Sequence, residues 1–112
     1  DEYLASEIDE TLAERYLERM IGRMIDVNYH VLTESGEAPP RDYFESFVAL
    51  SRIGALPADF AARLAPCAGL RNRIVHAYDD LDPGRVYDAL GAALVDVPTY
   101  LAAIRRFLET SG

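Results

Sequence analysis

Apolar residues recur in the first third of the chain at the spacing of an α-helix, and they predict one long helix over residues 3 to about 34. They form two neighbouring i, i+4 rows, so the apolar face is wider than a helix on the surface of a monomer usually needs. We therefore expect this helix to pack both on its own domain and on a second chain. The first row is Leu4, Ile8, Leu12, Tyr16, Met20 and Met24, and the second is Ala13, Leu17, Ile21, Ile25 and Leu32.

Capping residues mark where the first helix ends and where two later helices begin. Gly36 suits the C′ position of the first helix, Asp42 with Glu45 forms a capping box, and Asp82 before Pro83 is a common helix start. The later predicted helices span residues 43–53, 58–65, 66 to 77 or 78, and 83 toward 109, the last with a kink or break at Pro98.

The apolar residues of these helices predict their inward faces. The second helix is expected to turn Tyr43, Phe44, Phe47, Val48 and Leu50 inward. The fifth is expected to do so with Val86, Tyr87, Leu90, Ala93, Leu94, Val97, Leu101, Ile104, Phe107 and Leu108. No segment alternates apolar and polar residues with a period of two. The predicted fold class is therefore all-α, a four- to five-helix bundle forming a single domain over residues 1–112.

The charge balance narrows the possible functions. The chain carries 19 acidic and 11 basic side chains, for a net charge of −8. A protein that grips nucleic acid through a broad basic face is expected to be net positive, so this charge argues against that class. It does not exclude a local arginine cluster that acts at one short site. All the basic residues are arginine, which we attribute mainly to genomic base composition.

The cysteine content and the hydropathy of the chain indicate its cellular compartment and the kinds of site it can hold. The single cysteine, Cys67, excludes an intrachain disulfide and fits a reducing cytoplasm. No apolar run approaches the length that a signal peptide or a membrane span requires. The two histidines lie far apart, and with one cysteine they make no usual set of metal ligands. We therefore expect neither a metal nor another cofactor.

One short segment carries most of the candidate chemistry. Between Leu70 and Tyr78 the chain has the spacing Arg-x4-His-x-Tyr. Arg71 keeps its proton at physiological pH and His76 titrates near neutrality, a combination that phosphodiester chemistry without a metal needs. By itself the pattern also fits a surface charge and a capping or core histidine, and Tyr78 fits a packing residue.

Helical geometry limits what one copy of this segment can do. Arg71 and Tyr78 lie on nearly the same face, about 10 Å apart along the axis, whereas His76 is rotated roughly 140° from Arg71. Two copies related by a twofold axis could bring Arg71 and His76 of both chains into one cleft. A symmetric homodimer with the site at its seam is therefore predicted.

This segment resembles the Arg-x4-His-x-Tyr signature of HepT-like proteins in the HEPN superfamily. The resemblance continues through residues 14–18, 25–30, 42–47 and 86–90, and it covers nearly the whole chain. It implies the toxin component of a prokaryotic toxin–antitoxin system, a metal-independent endoribonuclease that is active as a homodimer. It also implies a cognate antitoxin, MntA, a minimal nucleotidyltransferase that silences the toxin by adenylylating the tyrosine of the signature.

Carried onto this chain, the resemblance makes Arg71 and His76 catalytic, Asn72 a supporting residue and Tyr78 the adenylylation site. In metal-free cleavage the RNA 2′-hydroxyl attacks the phosphorus and leaves a 2′,3′-cyclic phosphate, with His76 moving protons and Arg71 stabilising charge. The expected partners are RNA, an MntA-like antitoxin and a second copy, without a membrane. Two alternatives stay open: a non-catalytic nucleotide-binding or docking partner of a nucleotidyltransferase, and a plain dimerisation subunit.

Overall fold

The computed structural model describes the backbone of residues 2–76 and 83–111, and the side chains of residues 7–75 and 84–110. The described chain forms five helices: α1 (Glu2–Glu34), α2 (Tyr43–Arg52), α3 (Ala58–Leu64), α4 (Cys67–His76) and α5 (Pro83–Ser111). No strand occurs in these ranges, and the predicted all-α fold class is confirmed. Helix α1 contacts α2, α4 and α5, while α3 packs on α2.

The two apolar rows of α1 have different surroundings. In the second row, Ala13, Leu17 and Ile21 are at most 3% exposed and form the centre of the core. At the start of the first row, Ile8 and Leu12 are 51% and 44% exposed, and Tyr16 is exposed as well. Part of the broad apolar face is therefore left uncovered by the described chain. The second chain expected to cover it stays a prediction.

Several residues that were predicted to face inward are exposed. On α5 these residues recur every seven positions and form one outward row, because α1 covers only one side of that helix. They are Tyr87, Leu94, Leu101 and Leu108. On α2, Tyr43 and Phe44 are half-exposed because they form its first turn, beside the exposed connection 37–42. The apolar pattern identified the amphipathic helices but overestimated how much of each surface is covered.

A polar network lies inside the core and joins three helices. The Asn28 side-chain amide of α1 donates to the Ser46 hydroxyl of α2 at 3.0 Å. The Tyr100 hydroxyl of α5 hydrogen-bonds to the Asn28 Oδ1 and lies 3.0 Å from the Met24 carbonyl oxygen. Asn28, Ser46 and Tyr100 are all fully buried. Because buried polar groups need partners, this network fixes how α2 and α5 sit on α1.

The caps predicted at the end of α1 and the start of α2 are present, whereas Asp82, the predicted cap of α5, lies outside the described residues. Gly36 has a φ of +78° after the end of α1, and the Glu37 amide donates to the Leu32 carbonyl at 3.0 Å, as in a Schellman motif. The Asp42 carboxylate accepts from the Glu45 amide at 2.8 Å and caps α2. The reciprocal half of the box differs, since the Glu45 carboxylate accepts from Arg41 instead.

Helix α5 continues through Pro98 without the break that the sequence allows for. A proline has no amide hydrogen, so the carbonyl of Leu94 loses its helical partner. This turn faces solvent, since Leu94 is 65% exposed, and water can take the place of that partner. On the opposite side of the helix, the buried Tyr100 and Ile104 hold α5 on α1 beyond the proline.

Candidate active site around Arg71

Helix α4 carries Arg71, Asn72 and His76 of the predicted motif and is anchored by its apolar side. Ala68 and Ile74 are 2% and 7% exposed. Arg71 lies three residues from each of them, so its stem shares the buried side of the helix. Its side chain is accordingly half-buried, whereas the neighbouring Asn72 is exposed.

Two of the predicted site residues fall at or beyond the end of this helix. His76 is the last residue of α4, and the described side chains stop one residue before it. Tyr78 lies outside the described residues. The convergence of Arg71 and His76 across a twofold seam therefore stays a prediction, and so does the role of Tyr78.

The guanidinium of Arg71 lies between α1 and α2. Its central carbon lies over the ring of Tyr43, 5.5 Å from the ring centroid, which is within the range of a cation–π contact. On the α1 side it lies against Gly22, where a Cβ atom would come 3.7 Å from the Arg71 Nε. The Nε is buried and has no hydrogen-bond partner among the described residues. Packing, rather than a hydrogen bond, therefore orients this end of the side chain.

The ring of Tyr43 packs against a second tyrosine, Tyr29. The rings of Tyr29 and Tyr43 meet edge to face, with centroids 6.1 Å apart and planes at 87°. Burial raises the pKa of the Tyr29 hydroxyl, and Tyr43, Asp42 and Glu45 raise it further. The Tyr29 hydroxyl therefore stays protonated near neutral pH and adds no negative charge next to the Tyr43 ring.

No described carboxylate neutralises Arg71. The ion pairs among the described side chains are Arg41 and Arg52 with Glu45, and Arg63 with Asp96. The terminal nitrogens of Arg71 form no hydrogen bond to any described residue, and only its Nε counts as both buried and unpartnered. Among the described residues the positive charge of Arg71 is therefore left unpaired, in a chain whose net charge is −8.

A well-defined cavity lies on the other side of α4. It has a volume of about 560 Å³ and lies between α1, α4 and α5. Its floor is apolar, and Arg63, Arg73 and Arg85 are among its lining residues, whereas Arg71 is not. Since Arg71 and Arg73 are about 200° apart around the helix, the motif arginine points away from this groove.

The groove offers no evident nucleophile. Cys67 lines it, but burial raises the pKa of its thiol to about 12. At neutral pH the thiol is protonated and therefore a weak nucleophile. Arg63 is already paired with Asp96 at 3.0 Å. Of the two places, the surroundings of Arg71 are the better candidate for chemistry on a phosphate.

Sequence reasoning missed the residues that surround Arg71. Tyr43 was assigned to the core, and Gly22 and Tyr29 were given no role. The only signal for this contact was Gly22, the single glycine within α1, because glycine inside a helix is costly and often marks a close approach. That signal is weak here, since a Cβ would fit at an ordinary distance.

Neither a metal-binding cluster nor a membrane-spanning helix is found within the described ranges. No group of three or more His, Cys, Asp or Glu side chains there is arranged to hold a metal ion. None of the helices described above combines the length and the apolar composition needed to cross a membrane.

Comparison with known proteins adds independent information. A family model described as "Ribonuclease HepT-like" matches residues 1–109. The chain is also 37% identical over 110 residues to a protein of Aphanizomenon flos-aquae named "tRNA nuclease HepT", covering 98% of this chain and 75% of that protein. With the all-α fold, these matches place the chain in the HepT-like ribonuclease family and confirm the predicted enzyme class, an endoribonuclease.

Proposed function

We propose that this chain is the toxin of a toxin–antitoxin pair and that it cleaves RNA in the cytoplasm without a metal. In this proposal residues 1–112 form one HEPN domain. The observation that carries the proposal is the half-buried guanidinium of Arg71, whose terminal nitrogens have no carboxylate partner among the described residues. A cation that keeps its charge and presents a planar fork is suited to bind a phosphate.

Arg71 acts on the phosphate. Its terminal nitrogens contact the non-bridging oxygens and stabilise the negative charge that grows as the 2′-hydroxyl attacks phosphorus. The new O2′–P bond forms as the P–O5′ bond breaks, which leaves a 2′,3′-cyclic phosphate and a free 5′-hydroxyl.

His76 moves the protons. As a base it takes the proton of the 2′-hydroxyl, and as an acid it gives one to the departing 5′-oxygen, a task suited to an imidazole that titrates near neutrality. Asn72, exposed and four residues before His76, shares a helix face with it and orients either the imidazole or the phosphate.

A homodimer completes the site. On one helix Arg71 and His76 are rotated roughly 140° from each other and do not aim at one point. A twofold partner supplies the missing residue of each pair, and the exposed Ile8, Leu12 and Tyr16 offer an apolar surface for it. Isologous pairing of this kind is the commonest form of homodimer.

The proposal includes a substrate and a means of control. The name of the Aphanizomenon relative supports tRNA as the RNA that is cleaved. An MntA-like nucleotidyltransferase is the antitoxin, and it transfers AMP to Tyr78. If the helical spacing predicted from the sequence holds at Tyr78, an adenylyl group there spans roughly 10 Å back to Arg71, brings a phosphate to the guanidinium and excludes RNA.

Incubation of the purified protein with tRNA in EDTA tests this function. Wild type is expected to cleave, while Arg71→Ala and His76→Ala are expected to cleave at least about 100-fold more slowly. Arg105→Ala, which removes an exposed arginine from α5, is the matched control and is expected to cleave normally. Cleavage that EDTA abolishes would contradict the metal-free reaction, and full activity of His76→Ala would remove the assigned base.

The products and the modification are tested separately. Fragments that a polynucleotide kinase labels without prior phosphatase treatment have the expected free 5′-hydroxyl. Mass spectrometry after incubation with ATP and a minimal nucleotidyltransferase is expected to find AMP on Tyr78 and none on a Tyr78→Phe variant.

A further inference from the structure

We propose that Tyr43, held in place by Tyr29, is a positioning residue that aims the guanidinium of Arg71 at the substrate phosphate. The assignment rests on the proposed role of Arg71 in RNA cleavage. Tyr43 itself touches neither substrate nor reacting atoms in this scheme. It acts through the arginine that lies over its ring.

Arg71 has no polar anchor among the residues that the structure describes. An arginine at a phosphate site is usually fixed by a carboxylate or a backbone carbonyl that accepts from its Nε. Here the Nε is buried without a partner, and none of the ion pairs between described side chains involves Arg71. The orientation of a long and flexible side chain must then come from the surfaces on either side of it.

Those surfaces are the Tyr43 ring and the α1 backbone at Gly22. The ring centroid lies 5.5 Å from the guanidinium carbon, and a Cβ at Gly22 would lie 3.7 Å from the Nε. The electron-rich face of the ring attracts the cation without forming hydrogen bonds to it. All the terminal donors of Arg71 therefore stay available for phosphate oxygens, which a carboxylate anchor would not allow.

The ring is itself held firmly. Tyr29 meets it edge-on with centroids 6.1 Å apart. The Tyr43 backbone is also fixed, because its carbonyl accepts from the Ser46 hydroxyl at 2.6 Å, and Ser46 is bonded to the buried Asn28. Asp42 caps the same turn of α2. The support for Arg71 thus extends from the core to the surface.

The neighbouring aromatic residue provides a matched control. Phe44 follows Tyr43 in the chain, is 50% exposed, and has no ring or cation contact with a described residue. A change at Phe44 removes a similar amount of aromatic surface from the same turn without touching Arg71. The conservative variant Tyr43→Phe keeps the ring and removes only the hydroxyl.

The first readout is independent of activity. In an ¹H–¹⁵N spectrum of the arginine Nε–Hε groups, the Arg71 resonance is assigned by its absence from Arg71→Lys. Its proton is expected to exchange slowly with water and to show a ring-current shift in wild type, Tyr43→Phe and Phe44→Leu. In Tyr43→Leu both features are expected to be lost. An unchanged resonance in Tyr43→Leu would overturn the contact.

The second readout is cleavage of tRNA in EDTA. Misplacing a catalytic group by about 1 Å lowers rates by up to about 100-fold, so Tyr43→Leu is expected to lose roughly 10- to 100-fold in kcat with a smaller change in KM. Tyr43→Phe and Phe44→Leu are expected to stay within about twofold of wild type. Equal losses in Tyr43→Phe and Tyr43→Leu would overturn the positioning role and point to the hydroxyl instead.

Two controls keep the outcomes separate. Circular dichroism checks folding, and Tyr43→Met replaces Tyr43→Leu if the latter does not fold. If wild type fails to cleave RNA, the proposed function is wrong, and the Nε–Hε resonance alone decides whether Tyr43 holds Arg71. If wild type cleaves and Tyr43→Leu cleaves equally well, the proposed function stands and the positioning role is wrong.

Discussion

Arg71 and Arg73 are separated by one residue on α4, yet they occupy opposite sides of the helix and different environments. Arg71 is half-buried over an aromatic ring, with a buried and unpartnered Nε. Arg73 is exposed and lines an apolar groove that also holds an ion pair. A polar network that reaches from α5 to the first turn of α2 stands behind the Arg71 side. The groove side has an apolar floor.

The difference shows that the local environment, and not the residue type, distinguishes a candidate catalytic arginine. Two cations with the same charge and nearly the same sequence context differ in burial, in aromatic contact and in the support behind them. Burial limits the freedom of Arg71 and lowers the screening of its charge, so a phosphate bound there interacts with it more strongly. Arg73 is solvated and has neither advantage.

The largest expected effect is on activity. Arg71→Ala is expected to lower the cleavage of tRNA roughly 100- to 1,000-fold, the loss typical of removing one group that stabilises transition-state charge. Arg73→Ala is expected to change the rate by no more than a few-fold. Arg71→Lys should recover little activity, since an ammonium presents no planar fork. The cleavage rates of all three variants are measured, and equal losses in Arg71→Ala and Arg73→Ala would contradict the distinction between the two arginines.

The next effect concerns the network behind the Arg71 side. Tyr100→Phe removes the hydroxyl that serves the Asn28 Oδ1 and the Met24 carbonyl, and leaves buried acceptors short of a donor. It is expected to lower the free energy of unfolding by about 1–3 kcal/mol. Tyr16→Phe, at a residue that is 56% exposed, is the control and should change it by less than about 0.5 kcal/mol. Urea unfolding measures both, and equal effects would mean that the network does not stabilise the fold.

The pH dependence of the free energy of unfolding tests whether the Tyr100 hydroxyl is buried. Burial raises the pKa of Tyr100 above its ordinary value, which is about 10 in an unfolded chain. Above that pH the unfolded state loses a proton that the folded state keeps, so stability falls as pH rises, by at most about 1.4 kcal/mol per pH unit for one group. Urea unfolding between neutral pH and pH 11 is expected to show a steeper fall for wild type than for Tyr100→Phe. Parallel curves would argue against a buried hydroxyl.

The smallest effect is expected on the groove side. The Arg63 and Asp96 side chains are 3.0 Å apart, but that of Arg63 is 63% exposed, so water screens their attraction. A double-mutant cycle of Arg63→Ala and Asp96→Ala is expected to give a coupling free energy below about 1 kcal/mol, with no change in RNA cleavage. A large loss of activity in Arg63→Ala would move the candidate site to the groove.

The parts of the fold that depend on neighbouring residues in the chain could be predicted from sequence. The glycine at the end of α1 and the Asp42 cap are examples, because each is set within four residues. The outward positions of Tyr43 and Leu94 could not, because they depend on how wide an arc of each helix its neighbours cover. The burial of Asn28 depends likewise on a partner 72 residues away.

The candidate site also has a part that the sequence predicts and a part that it does not. Arg71, Asn72, His76 and Tyr78 belong to one motif and were recognisable as a group. The contact of Arg71 with Tyr43 joins residues from two helices that the chain brings together only on folding. Neither periodicity nor composition carries that information, since tyrosine at the start of a helix is ordinary.

The unpartnered Nε makes position 71 costly for folding. Leaving a buried donor without an acceptor costs about 1–3 kcal/mol, and methionine would fill a similar space with no polar atom. Variants sorted only for resistance to heat should therefore accumulate apolar residues at position 71, while variants sorted for RNA cleavage should keep arginine. If the two selections favour different residues at position 71, the difference between the unfolding free energies of the selected variants measures how much stability this enzyme gives up for activity.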